Sequence, residues 1–356
     1  MRARWHNRVA RSSVTLPVAA VLTTLLWWLP QGGYSLPYLL GWAVCAVGMF
    51  FLIETAAQNV LIRVRSRMVS SLFLLLMAAC GFMHELSAAS LVQLSLLVSL
   101  YSLLRTCEKV RPELDTFHAY LALSLGSLLW PPLLWVALAL LLAQSFFLRS
   151  LSSRSFGAVI IGLIVPYLFW IAILFLMGDI AIFVAHAREI MNPVYTLIGQ
   201  VHHEMELANT FNVSAWASLQ GERITSYTSH LFVNKKAELA ALVLVVLTGA
   251  TSSAFYFSNS YDDKIRVRMC HYTFLLLFGW LALWLLVQPW QFHWLFPLLL
   301  FVSVPSAAYW LTFSRSWLAR AWFVVLIVMW LCVAFLTLTP TPVFEQLAAS
   351  LNVSFL

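Results

Sequence analysis

Residues 156–178 read Phe156-Gly157-Ala158-Val159-Ile160-Ile161-Gly162-Leu163-Ile164-Val165-Pro166-Tyr167-Leu168-Phe169-Trp170-Ile171-Ala172-Ile173-Leu174-Phe175-Leu176-Met177-Gly178, without one charged side chain, between Arg154 and Asp179. As an α-helix such a run reaches about 34 Å, enough to cross the ~30 Å hydrocarbon of a bilayer. The rest of the chain is of the same kind. Of its 356 residues 62% are apolar, 15% aromatic and only 10% charged, with a mean hydropathy of +0.87. Water-soluble domains carry about 25% charge. A soluble enzyme, a disordered chain, a collagen and a disulfide-rich secreted module are therefore excluded. At about 20 residues per crossing there is room for roughly 11 spans.

Working outward from 156–178, apolar runs occur at 15–30, 36–55, 68–84, 88–104, 116–130, 133–148, 237–257, 269–287, 293–313 and 320–339, making eleven in all. The expected fold is all-α, a polytopic transmembrane helical bundle forming a single integral membrane domain over 1–356. Trp27, Trp28, Trp290, Trp294, Trp317 and Trp322 sit near span ends, where amphipathic rings favour the headgroup layer. The first run ends in Trp27-Trp28-Leu29-Pro30 with no small-residue cleavage site, and reads as an uncleaved helix.

Basic residues orient the bundle. With the N-terminus inside and sides alternating after each span, Arg2, Arg4, Arg8, Arg11, Arg63, Arg65 and Arg67 fall inside. So do Arg105, Lys109, Arg111, Arg149, Arg154, Lys264, Arg266, Arg268, Arg315 and Arg320, making 17 of the 21 Lys and Arg. Only Arg188, Arg223, Lys235 and Lys236 fall outside, all in one longer segment where the rule is weaker. This places the N-terminus in and the C-terminus out. The +7 charge is scattered over short loops, so it signals membrane insertion and the lipid bilayer as partner; no nucleic acid is implied.

Residues 116–148 stand apart. Positions 116–130 reach only about 22 Å as a helix, and Leu128-Leu129-Trp130-Pro131-Pro132-Leu133-Leu134-Trp135 turns the chain back. Prolines break the hydrogen-bond ladder there. Two short crossing helices and a re-entrant hairpin shielded by neighbours both remain open.

The longest stretch between spans, 179–236, follows span 7 on the outer side. A short helix is expected from Asp179 to near Asn192-Pro193, and a second from Pro193 to Ala208. The second has an apolar stripe of Val194, Ile198, Val201, Met205 and Ala208. On it lies the densest chemistry in the chain, His202-His203-Glu204-Met205-Glu206. His202 and Glu206 share a helix face, and His84, Glu85, His186, Asp179 or His230 could add a ligand. The spacing is neither HExxH nor its reverse, so a solvated helix face is favoured over an acid–base or metal site. No metal and no cofactor are assigned.

His84 and Asp179 mark outer span ends, the usual place for polar residues. They join His202, His203, Glu204 and Glu206 as candidate catalytic positions. Arg188 and Arg223, the only outer arginines, are the candidate binders of a phosphate on a lipid-linked substrate. Snorkelling to headgroups is their commoner use.

Within the hydrocarbon, Glu54 with Gln58 one turn later is the clearest polar feature, expected either to pair with Arg63, Arg65 or Arg67 or to line a helix contact. Thr248 to Ser253 is expected to support close helix packing. Cys107 is the one cysteine in a loop, and no disulfide framework is implied. GxxxxGK[ST] and GxSxG motifs are absent, and the first outer loop, Gln31 to Ser35, carries no acid.

Two blocks resemble an uncharacterised family of multi-pass inner-membrane proteins of Bacteroidetes: Arg65-Ser66-Arg67-Met68-Val69-Ser70-Ser71, and His118 through Gly126-Ser127-Leu128-Leu129-Trp130-Pro131-Pro132 to Phe147-Leu148-Arg149-Ser150-Leu151. The resemblance covers roughly the first half of the chain. It implies a bacterial inner membrane and an envelope context, and carries no activity. The layout is also similar, in topology alone, to surface-polysaccharide polymerases and ligases. The expected function is envelope biogenesis, with the outer face handling or helping to assemble a lipid-linked or exported substrate. A non-catalytic scaffold bound to other membrane subunits is the alternative, and a secondary transporter using Glu54 comes third.

Overall fold

A computed structural model of the chain describes residues 12, 14–28, 35–59, 61–62, 67–191, 236–314 and 317–338. No strand occurs among them. The helices are α1 (Thr15–Trp28), α2 (Leu36–Gln58), α3 (Met68–Ala79), α4 (Ala88–Leu104), α5 (Glu113–Leu129), α6 (Leu134–Leu142) and α7 (Ser153–Met177). There follow α8 (180–191), α9 (Lys236–Asn259), α10 (Ile265–Val287), α11 (Phe292–Phe313) and α12 (Trp317–Leu338). Each of the eleven apolar runs falls on a helix.

Five segments are long and apolar enough to cross a membrane: α2, α7, α9, α10 and the Pro289–Phe313 unit containing α11. Thr15–Trp28, Met68–Ala79, Ala88–Leu104, Pro131–Phe147 and Ala321–Thr337 are shorter apolar stretches. The long helices are apolar all round. Phe169, Phe175 and Leu176 of α7 turn outward, Leu176 at 85% exposure, a surface that suits lipid rather than water.

At the centre stands α11, whose most apolar stretch is wholly buried, against 22% for α2 and for α7. It packs on α3, α4, α9 and α10, while α3 also meets α1, α2 and α12. To one side α5 lies between α4 and α7. Pro297 and Pro305 sit inside α11. Gln93 Nε2 of α4 donates to Pro297 O at 3.0 Å, a polar tie between α4 and α11.

Local signals set the helix ends. Ser87 and Ser90 form a reciprocal capping box at the start of α4, and the Ser152 side chain accepts from Ser155 N at the start of α7. Gly178, at φ 80°, closes α7 in a left-handed conformation that a side chain would strain.

Contacts between helix termini fall into two sets. At the end assigned outside by the charges, Leu86 N donates to Pro37 O at 3.0 Å. There too Trp27 Nε1 donates to Tyr38 O at 3.1 Å, and Thr337 Oγ1 donates to Ala79 O. At the opposite end Thr106 and Ser150 hydroxyls pair at 2.8 Å, and His271 Nε2 lies 2.8 Å from Leu61 O. The Arg105 guanidinium is 3.5 Å from the Asp115 carboxylate, which Lys109 also contacts.

The 116–148 hairpin takes a definite place in this arrangement. Trp130 stacks on Trp284 and Trp294, with centroids 5.4 and 5.5 Å apart. Trp284 lies in the last turn of α10 and Trp294 in the first turn of α11. The Pro131–Leu133 turn therefore reaches the same end of the bundle as the long helices instead of stopping midway. Extended backbone at Trp130 is what a following proline imposes. The return limb is α6 plus a π-turn over Ala143–Phe147. Its buried Gln144 bonds Thr116 at 3.1 Å and Tyr120 at 3.3 Å.

Several expectations change. Trp27 is not at a lipid boundary: it is fully buried, because stacking on His84 and bonding to Tyr38 satisfy ring and N–H inside the protein. Cys107 lies in the turn that joins α4 to α5 but is buried, and cannot report solvent access. The Thr248–Ser253 stretch does pack closely: a Cβ on Gly249 would lie 2.3 Å from the Phe278 ring.

Candidate functional site

Beyond Gly178 the chain turns into α8, which starts after Asp179. Phe183, His186, Ala187 and Ile190 are its half-buried positions, at three- and four-residue spacing, so one stripe packs against the bundle. Trp135 Nε1 of α6 donates to Ile190 O at 2.8 Å, and Trp170 of α7 meets the edges of Phe183 and His186 at 5.9 and 4.6 Å. These contacts fix α8 against the start of α6 and the C-terminal half of α7.

Beneath α8 runs a hydrogen-bonded chain through three elements. Ser127 Oγ of α5 donates to Ser124 O at 2.7 Å and lies 2.8 Å from Tyr167 Oη of α7. Tyr167 Oη lies 3.3 Å from His186 Nε2. Either hydroxyl of the Ser127–Tyr167 pair can donate to the other, and whether His186 Nε2 donates to Tyr167 or accepts from it depends on the ring's tautomer. Burial pushes the His186 pKa below its ordinary value, with Glu189 and a hydrogen bond to the Ser127 backbone pulling the other way. An imidazole held in such a chain is suited to exchanging a proton or a hydrogen bond.

The remaining sequence candidates do not join this chain. Asp179 is exposed at the α7–α8 turn, and Arg188 is exposed on α8, two residues from His186 and so turned well away from its stripe. His84 is fully buried, stacked on Trp27 with centroids 4.0 Å apart and planes at 14°. Its Nε2 lies 3.3 Å from Met77 O, and its own carbonyl occupies the space where a Cβ on Gly41 would sit, 2.1 Å away. That is a structural clamp between α1, α2 and α3. His202, His203, Glu204, Glu206 and Arg223 lie outside the described residues, as does the helix expected from Pro193 to Ala208.

Glu54 and Gln58 lie near the opposite end. Gln58 Nε2 donates to Glu54 Oε1 at 2.6 Å and to Tyr101 Oη at 3.1 Å, and Arg105 reaches the same phenol at 3.5 Å. Glu54 thus lines a contact between α2 and α4, and leads through Gln58 and Tyr101 to the Arg105–Asp115 pair.

Sequence reasoning named His186 only as a possible extra ligand, and missed Ser127 and Tyr167. Tyr167 is a single polar residue in an apolar run, and Ser127 shares its helix face only with Ser124 three positions earlier, a spacing common in packed helices. It also missed a buried group at the opposite end of the bundle, where Tyr256 stacks on His271 at 4.4 Å and meets Tyr309 edge-on at 4.8 Å. Tyr256 and His271 are fully buried and serve to join α9, α10 and α11. Among the described residues no three His, Cys, Asp or Glu side chains gather as a metal site. No protein-family model, curated protein or solved structure matches the chain.

Proposed function

We propose that the chain crosses a bacterial inner membrane eleven times, N-terminus in and C-terminus out, and serves envelope biogenesis by handling or helping to assemble a lipid-linked or exported substrate at its outer end. The observation that carries this reading is the Ser127–Tyr167–His186 chain. It brings proton-bearing groups from α5, α7 and α8 to one point beside the lipid-facing surface of α7. An amphiphile with its tail in the bilayer would present its headgroup at that height. His186 would exchange a hydrogen bond or a proton with the headgroup while Tyr167 holds the ring. Arg188, exposed two residues on, is available to a phosphate from a separate direction.

Complementation tests it. In a strain lacking the protein, His186→Ala and Tyr167→Phe should leave the envelope defect unrepaired, read as sensitivity to detergents and bulky antibiotics, at undiminished protein level. Full repair by both variants counts against a working outer site and favours the scaffold reading.

A further inference from the structure

Two thiols meet at the end of the bundle that holds the Thr106–Ser150 and His271–Leu61 contacts. Cys107 belongs to the turn after α4, and Cys270 to the second turn of α10; both are free and buried. Separate contacts bring the two segments together. The Thr106 hydroxyl, beside Cys107, pairs with that of Ser150 at 2.8 Å, just past the Ala143–Phe147 turn. That turn packs on α10, where Phe147 meets Tyr272 with centroids 5.7 Å apart. Within this junction the Cys270 thiol hydrogen-bonds to the Cys107 sulfur. Solvent is one residue away: Glu108 is exposed, as are Lys109, Val110 and Arg111.

Two thiols in contact have a chemistry that neither has alone. The hydrogen bond from Cys270 favours the Cys107 thiolate and draws the Cys107 pKa below its ordinary value; Arg266 acts the same way, while burial and Glu108 oppose. We propose that Cys107 and Cys270 close into a reversible intrachain disulfide under hydrogen peroxide, fastening the α4–α5 turn to α10. The Cys107 thiolate attacks one peroxide oxygen, the O–O bond breaks and hydroxide leaves, which makes a sulfenic acid at Cys107. The Cys270 sulfur then attacks the Cys107 sulfur, and the Cys270 proton leaves with the sulfenic hydroxyl as water. In sum two thiols and one hydrogen peroxide give one disulfide and two waters. A dithiol reductant restores both thiols by exchange. Peroxide is hardly larger than water, and reaches a thiol beside an exposed turn that a maleimide does not. The bond adds a tie that packing does not supply, because α10 rests chiefly on α6, the Ala143–Phe147 turn and α11. The proposal depends on neither the orientation nor the envelope function.

Thiol trapping tests it. The full-length protein is purified in detergent under reductant, freed of reductant, and treated with graded hydrogen peroxide. Denaturation in dodecyl sulfate with N-ethylmaleimide then blocks every remaining thiol, and cysteines released by dithiothreitol are tagged with a polyethylene-glycol maleimide. The wild type should gain two tags, and a non-reduced digest should show Cys107 joined to Cys270. Cys107→Ser and Cys270→Ser, each nearly isosteric, should abolish the double tag, whereas Cys332→Ser should keep it. Unfolding the wild type in dodecyl sulfate before peroxide should remove the preference for this pair over pairs with Cys45, Cys80 or Cys332. That comparison lies within the wild type and stands whether or not a serine variant folds. Four results would each overturn the proposal: Cys107 joined to another cysteine or to a second chain, oxidation that stops at sulfinic acid on one residue, no double tag at peroxide levels that oxidise Cys332, or the same pair preference after unfolding.

Discussion

Tyr167 Oη lies 3.3 Å from His186 Nε2, and this contact joins α7, a helix long and apolar enough to cross a membrane, to the short helix that follows it. The same oxygen lies 2.8 Å from Ser127 Oγ. Tyr167→Phe therefore removes two hydrogen bonds and little volume. At about 1 kcal/mol each, stability should fall by about 1–2 kcal/mol. A thermal melt in detergent checks this, and Ser127→Ala, which likewise removes two hydrogen bonds, those with Ser124 O and Tyr167 Oη, should cost about as much.

The protonation of His186 gives a second expectation. Its pKa in the folded chain is lowered by burial, so the unfolded chain binds the proton more readily. The contribution to stability is intact above the ordinary pKa of about 6.5. It is lost progressively as pH falls from there toward the depressed folded value. Melts across pH 8 to 4.5 should show a decline below about 6.5 that is smaller in His186→Gln. Matching profiles for the two proteins would contradict the assignment.

Gly41 and Gly48 lie on one face of α2 and should respond in opposite ways. A methyl group on Gly41 would lie 2.1 Å from the His84 carbonyl, which is backbone and cannot move alone. Overpacking of this kind costs about 1–3 kcal/mol. Gly41→Ala should lower the Tm distinctly, whereas Gly48→Ala should stay near the wild type.

The helices were legible in the sequence because the apolar runs that identify them are also the surfaces that pack or meet lipid. Residues 156–178 read the same way in both. Partnership was not legible. Trp27 carries the signature of a boundary tryptophan, yet His84 offers it a stacking surface from 57 positions away. Ser127 and Tyr167 look like incidental polar residues until α5 and α7 bring them within 2.8 Å. The charged run 202–206 drew attention by density, whereas the described Ser127–Tyr167–His186 chain rests on residues spread over three helices.

Glu54 accepts from Gln58 through Oε1 at 2.6 Å. Glu54→Gln keeps an oxygen at that position, so stability should change by no more than about 0.5 kcal/mol, and the variant should repair the deletion strain fully. Loss of repair at normal protein level would move the working residues to the inner end and revive a transport role.

The central claim is that the His186 end of the bundle faces outward, and single-cysteine labelling tests it most directly. Cys107 is buried and unsuited to the purpose, but Val110 in the same loop is 96% exposed, and Arg188 is exposed on α8. With an impermeant maleimide, Arg188→Cys should label in intact cells, and Val110→Cys only after the membrane is opened. Labelling of Val110→Cys in intact cells, with Arg188→Cys protected until lysis, would contradict the account.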